Sequence, residues 1–228
     1  MLIHNIKKKK AFKRFYNKLL EKNSLCFDIG TNMGYKSLIL LSLKHKVIGF
    51  EPQTRCHDFL LKIEKKHHNF KIQKIAIGSK NEELDLCLGN HIEIATLSNK
   101  FVTHFSNNNT FWNDKERVKV VTLNSQIETY GLPQFCKIDV EGLEYDILKN
   151  LTYKIPIIEF EFTGGFIIET LLSVSIINKL GDYTFNYFFN EKPLLKINNW
   201  VSAESISSII KTMNTKNLHG NIIAKLNQ

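Results

Sequence analysis

Leu25-Cys26-Phe27-Asp28-Ile29-Gly30-Thr31-Asn32-Met33-Gly34 reads as a buried strand that ends in an acid and a glycine-bearing turn. Further along, Val47-Ile48-Gly49-Phe50-Glu51-Pro52 is a second apolar strand, again closed by an acid. A strand, a Gly-x-x-x-Gly turn, a helix and a strand with a terminal carboxylate is the layout of a nucleoside-binding βαβ unit. Glu51 follows Asp28 by about 20 residues, the separation at which a carboxylate reaches ribose hydroxyls.

The segments on either side continue the alternation. Helical periodicity covers 33–43 and 53–66, and a strand is expected over 70–77. Gly78-Ser79-Lys80-Asn81 turns into a strand at 83–88. Residues 89–116 are polar and asparagine-rich, with Phe101, His104, Phe105, Phe111 and Trp112 scattered through them, and read as a long functional or mobile loop. Arg117 to Leu123 alternate as a half-exposed strand, and a short helix at 124–130 stops at Gly131-Leu132-Pro133. Strands at 134–139 and 155–162, helices at 142–150 and 166–180, and late strands at 183–189 and 219–226 around a helix at 204–213 complete the reading. A βαβαβ order implies right-handed crossovers and a parallel sheet, and the two late strands add an antiparallel element.

The 228 residues fit one domain, 24–228, preceded by a basic helix over residues 1–23. Ile6, Phe12, Phe15, Tyr16, Leu19 and Leu20 give that helix one apolar face among lysines, which suits packing against the domain, with a membrane-surface role as the alternative. No apolar run approaches the length of a transmembrane segment or a signal peptide. The four cysteines lack metal or framework spacing and read as buried thiols in a reducing, cytoplasmic compartment. The eight histidines show no ligand spacing, and no metal site is assigned. Magnesium held by rim carboxylates stays open without being indicated. The net charge of +9 permits an anionic partner, but lysine carries nearly all of it, whereas nucleic-acid recognition favours arginine forks.

In open α/β sheets the ligand lies beyond the carboxyl ends of the strands. Asp28, Glu51, Asp139 and Glu161 all fall there. The turn departs from a dinucleotide fingerprint: Ser37 replaces its third glycine, and Asp28 would repel a pyrophosphate. A cationic, hydroxyl-bearing ligand without phosphate fits better, and S-adenosylmethionine has that chemistry.

With Asp28-Ile29-Gly30-Thr31-Asn32-Met33-Gly34-Tyr35, Phe50-Glu51-Pro52, Ala76-Ile77-Gly78 and Lys137-Ile138-Asp139-Val140-Glu141-Gly142-Leu143-Glu144, the chain resembles the FkbM-type S-adenosylmethionine-dependent methyltransferases over residues 24–162. Val120-Val121-Thr122-Leu123-Asn124 is also similar, although Asn124 stands where the family usually has aspartate and Thr31 where it usually has alanine. The resemblance implies a Rossmann-like class I methyltransferase fold: a mostly parallel seven-stranded α/β sheet with an antiparallel last strand and helices on both faces. It implies that Asp28 and the Gly30 backbone hold the methionine end of the cofactor. Asn32, Gly34, Tyr35 and Pro52 would line the pocket, Glu51 would bind the ribose, and Ala76 and Ile77 would flank the adenine. Asp139 would meet the methyl donor, and Glu141 either lines the site or caps the following helix. Asp139, Glu161 and His104 are the candidate bases, and a buried Lys137–Glu159 pair is a structural alternative for that face. The expected activity is O-methylation of a sugar or glycan hydroxyl, with 89–116 as the acceptor-side loop and Phe101, His104 and Trp112 exposed toward the acceptor. The rivals are an RNA ribose 2′-O-methyltransferase, motivated by the charge, and a non-catalytic binding protein on the same scaffold, motivated by Asn124.

Overall fold

The computed structural model of the chain describes residues 2–213 and 218–227. A long helix, α1 (Leu2–Leu19), precedes β1 (Leu25–Ile29), α2 (Tyr35–Ser42), β2 (Lys46–Phe50), α3 (Thr54–Lys66) and β3 (Phe70–Gln73). The chain then builds β4 (Ala76–Gly78), β5 (Glu82–Gly89), α4 (Asn99–Phe105) and β6 (Trp112–Thr122). It returns through α5 (Leu123–Tyr130), β7 (Phe135–Ile138), α6 (Glu144–Leu148), β8 (Ile157–Thr163), α7 (Ile167–Leu180), β9 (Tyr183–Phe189), α8 (Ala203–Lys211) and β10 (His219–Leu226).

Seven strands form one sheet in the order β3-β2-β1-β7-β8-β10-β9. The contacts from β3 through β8 are parallel, and β10 runs antiparallel to both neighbours. The order reverses between β1 and β7, the switch point where an α/β sheet opens a crevice. Strands sandwiched between helix layers must be apolar on both faces, and Cys26, Phe27, Cys136 and Ile138 are fully buried. One face is covered by α1, α2 and α3, where Phe12, Tyr16, Ile39, Leu40 and Leu60 pack on Phe135 and Phe188. The other carries α5, α6, α7 and α8.

Two expectations are corrected. The strand anticipated over 70–77 is two strands in different sheets, because the alternation of Phe70 and Ile72 breaks before the adjacent buried pair Ala76 and Ile77. β4 leaves the main sheet and pairs with β6, which also pairs with β5. The anticipated loop over 89–116 holds a short 3₁₀ turn (Ile92–Ile94), α4 and the first part of the eleven-residue β6. Phe101 and Trp112 pack against each other within it: Phe101 is 4% exposed, and Trp112 Nε1 donates to the Ile94 carbonyl at 2.7 Å, while Phe111 is exposed.

The basic first helix docks on the sheet. Phe12 and Tyr16 are fully buried, and the Tyr16 hydroxyl donates to Glu159 Oε2 at 3.1 Å. Glu159 is fully buried, and burial pushes its carboxyl up from 4.5 to about 7 against the pull of Lys36 and Lys137. Between those two values the folded chain holds a proton that the unfolded chain has released. This group's contribution to stability therefore falls as pH rises through that window. Glu159→Gln should raise the melting temperature relative to the parent at pH 8, with the gain shrinking at pH 5. An equal gain at both pH values would contradict this account.

Candidate functional site

The carboxyl ends of β1, β2, β7 and β8 open into a cavity of about 480 Å³. Its geometry starts at the turn after β1. Gly30 has φ 75°, and a Cβ there would sit 1.7 Å from the Asp139 carbonyl oxygen, so only glycine allows this approach. Gly30 and Thr31 N–H groups donate to the Phe50 carbonyl at 3.0 and 3.1 Å, and Asp139 N–H donates to the Ile29 carbonyl at 3.1 Å. One turn thus ties the ends of three strands together.

Asp28 is 1% exposed. Its Oδ2 accepts from the Ser37 hydroxyl at 2.6 Å, and its Oδ1 has no partner among the described residues. Ser37, which departs from the dinucleotide pattern, is therefore what orients the acid. Burial raises the Asp28 pKa, offset by Lys137, Ser37 and Lys36. Glu51 is 3% exposed and receives the N–H groups of Asn32 at 2.7 Å and Gln53 at 2.9 Å, one on each oxygen. Burial raises its pKa against those two donors. Each oxygen keeps lone-pair capacity for a ligand hydroxyl.

Pro52, Ala76, Ile77 and Tyr35 line the cavity, as does Asn32. The Asn32 side chain is spent on structure, however: Nδ2 donates to the Ile92 carbonyl at 2.9 Å and Oδ1 accepts from Met33 N–H at 2.6 Å. Gly34 lies behind the wall. It precedes α2 with φ 77°, and a Cβ there would meet Ile63 at 2.8 Å, so its service is helix packing.

Three further acids line the cavity. Asp139, Glu141 and Glu161 each place an oxygen within 4.8 Å of the others, the arrangement among the described residues that could hold a hard cation. Local spacing could not reveal this trio, since Glu161 comes from a different strand. Lys137 Nζ pairs with Asp139 Oδ2 at 2.7 Å, not with Glu159 across the ladder. That charge holds the Asp139 carboxyl below the usual range despite burial. Glu161 is pushed well above it by burial and by the charges of Asp139, Glu141 and Glu144. Glu144, not Glu141, closes the turn before α6, by accepting from Val140 N–H at 3.0 Å. Glu141 has φ 57° and lines the cavity.

His104 is a correction. It sits outside the cavity, with its Nε2 against Gly165 and its ring edge-on to Phe105 and Phe166. Its polar sequence neighbours had concealed an aromatic cluster. Residues missed in the sequence include Lys8, Lys36, Glu93, Glu191 and His219, all on the cavity wall and none within a local motif. Gly30→Ala should cost about 4 kcal/mol or more in a denaturant titration, because backbone and not a flexible side chain blocks the new methyl. A cost below about 1 kcal/mol would show that the turn can relax.

Comparison with known proteins agrees with this geometry. No curated protein matches the chain in sequence. Among solved structures it is similar to precorrin-6y C5,15-methyltransferase from Geobacter metallireducens, with 10% identity, a TM-score of 0.50, and coverage of 96% of this chain and 86% of that one. It is also similar to an rRNA methylase from Streptococcus thermophilus, with 11% identity, a TM-score of 0.46, and coverage of 95% and 94%. At 10% identity the first likeness is one of fold. The family model described as the methyltransferase FkbM domain matches residues 28–187, from the buried acid of β1 into β9. The chain belongs to the FkbM family of S-adenosylmethionine-dependent methyltransferases.

Proposed function

We propose that the protein transfers a methyl group from S-adenosylmethionine to a hydroxyl of a neutral sugar or glycan. The observation that carries this reading is the trio Asp139, Glu141 and Glu161 lining the same cavity as the donor turn. Carboxylates at this density hydrogen-bond hydroxyls well and repel phosphodiesters. That favours a polyol over RNA, although the chain as a whole carries +9.

The donor residues fit their ligand. Asp28, whose buried Oδ1 lacks a hydrogen-bond partner among the described residues, is assigned to the ammonium, and Glu51 presents a carboxylate already oriented by two backbone donors. Ala76, Ile77 and Leu86 supply an apolar wall for an aromatic base. When bound, S-adenosylmethionine supplies an electrophilic methyl carbon on a good leaving group. What is left to the protein is alignment and removal of the acceptor's proton.

Asp139 and Glu161 divide that work. Asp139, neutralised by Lys137, stays ionised and is a poor proton acceptor. Glu161, with its raised affinity for protons, is the general base. We assign His104 no role in the step, since it lies outside the cavity. Glu93, Ala95, Thr96 and Leu97, from the excursion between β5 and β6, line the wall and form part of the acceptor side.

Asp28→Ala should abolish binding of S-adenosylhomocysteine, and Glu51→Gln should weaken it by about 1–3 kcal/mol. Unchanged affinity in either variant would move the donor elsewhere. With labelled donor, label should enter neutral saccharides in a panel that also contains RNA, and label in RNA alone would overturn the acceptor assignment. Glu161→Gln should lower kcat by about 10²–10⁴-fold while leaving S-adenosylhomocysteine affinity intact. In the parent, kcat/KM should fall on acidification at a pH above the ordinary carboxylate range, because the base must be ionised. A profile flat through that region would exclude Glu161 as the base.

A further inference from the structure

The cavity wall carries three lysines held with different firmness. Lys137 is buried, with its ammonium 2.7 Å from Asp139. The Lys36 side chain is 8% exposed, its ammonium 2.9 Å from Glu191 Oε2 and 3.5 Å from the centre of the Phe12 ring. Lys8 reaches the same Glu191 oxygen at 3.4 Å, but its side chain is 31% exposed. A half-exposed pair at that distance contributes little, so Lys8 can be redirected at low cost.

The placement of Lys8 is fixed even though its pairing is loose. Lys8, Phe12 and Tyr16 recur every four residues and share one stripe of α1. Phe12 and Tyr16 are locked into the core against Phe188 and Phe135, so the next turn of the helix must present Lys8 at the cavity. The Tyr35 ring lies beneath it, with the ammonium 5.3 Å from the ring centre. Glu191 sits on a turn where Asn190 and Glu191 both have left-handed backbone (φ 50° and 53°), and the buried Lys36 anchors it there.

This inference rests on the donor reading given above. The donor ends in an α-amino acid, one ammonium and one carboxylate. Asp28, which lines the cavity and whose buried Oδ1 has no partner among the described residues, is the group assigned to the ammonium. The carboxylate enters a cavity lined by seven acids and needs a cation. Lys137 is committed to Asp139, and the Lys36 ammonium is sealed between Glu191 and Phe12. We propose that Lys8 is a donor-binding residue whose ammonium exchanges Glu191 for the carboxylate of S-adenosylmethionine. The basic N-terminal helix, which lies outside the family-matched stretch 28–187, is then a wall of the donor site.

Two ligands separate this role from simple packing. S-adenosylhomocysteine carries the amino-acid end, whereas methylthioadenosine has the same nucleoside and thioether without it. Calorimetry on the full chain should find that Lys8→Gln weakens S-adenosylhomocysteine about tenfold and leaves methylthioadenosine unchanged. Lys8→Arg should recover most of the loss. Unchanged S-adenosylhomocysteine affinity in Lys8→Gln would overturn the proposal, and so would equal losses for both ligands, which would signal a packing role. If the parent binds neither ligand, the donor reading itself falls and this proposal falls with it.

Discussion

The contact between Gly30 and the backbone of Asp139 organises this molecule. A side chain at position 30 would place a carbon 1.7 Å from the Asp139 carbonyl oxygen, so the turn after β1 and the end of β7 meet with no room between them. The same turn donates two N–H groups to the end of β2. Asp28, Glu51 and Asp139 therefore face one volume as a consequence of backbone geometry alone. Their side chains are then fixed individually, Asp28 by Ser37, Glu51 by the N–H groups of Asn32 and Gln53, and Asp139 by Lys137. A cavity built this way is set before any ligand arrives, the condition under which alignment lowers a barrier most.

Charge is distributed against the bulk composition. The chain is strongly basic, yet its cavity is walled by seven carboxylates and three lysines. Burying so many acids is tolerable because several carry raised proton affinities and others have cationic partners. Lys36 and Lys137 serve the fold in this way, each nearly sealed from solvent beside an acid. Truncating Lys137 would leave Asp139 without its counter-charge, a costlier change than removing a surface ion pair. Among the described residues no helix is long and apolar enough to cross a membrane, and Phe12 and Tyr16 of α1 are buried against the sheet while Ile6 is exposed.

Much of the fold was legible because strands buried on both faces announce themselves. Leu25 to Ile29 and Val47 to Phe50 are continuous apolar runs with an acid at the functional end, and the order of later elements follows from alternation. The three-residue β4 was not legible: separated from β3 by only Lys74 and Ile75, it merges with it in sequence and is distinguished by pairing with β6. At the site, Asp28, Glu51 and Asp139 could be read from their position at strand ends. Asn32 and Gly34 could be read as important but not for the right reason, since their service is bracing and packing. Lys8 and Glu191 are brought to the cavity by tertiary packing across most of the chain, and no local pattern marks them. His104 drew notice as a lone titratable group in a polar stretch, but the aromatic residues around it decide its place.

The most direct test of the account is a calorimetric titration of the folded protein with S-adenosylhomocysteine, with NAD⁺ as the control. The geometry predicts saturable one-to-one binding of S-adenosylhomocysteine and none of NAD⁺, whose pyrophosphate would meet Asp28. Binding of NAD⁺, or of neither ligand by a sample shown to be folded, would contradict the claim that these carboxylates form a site for a cationic nucleoside.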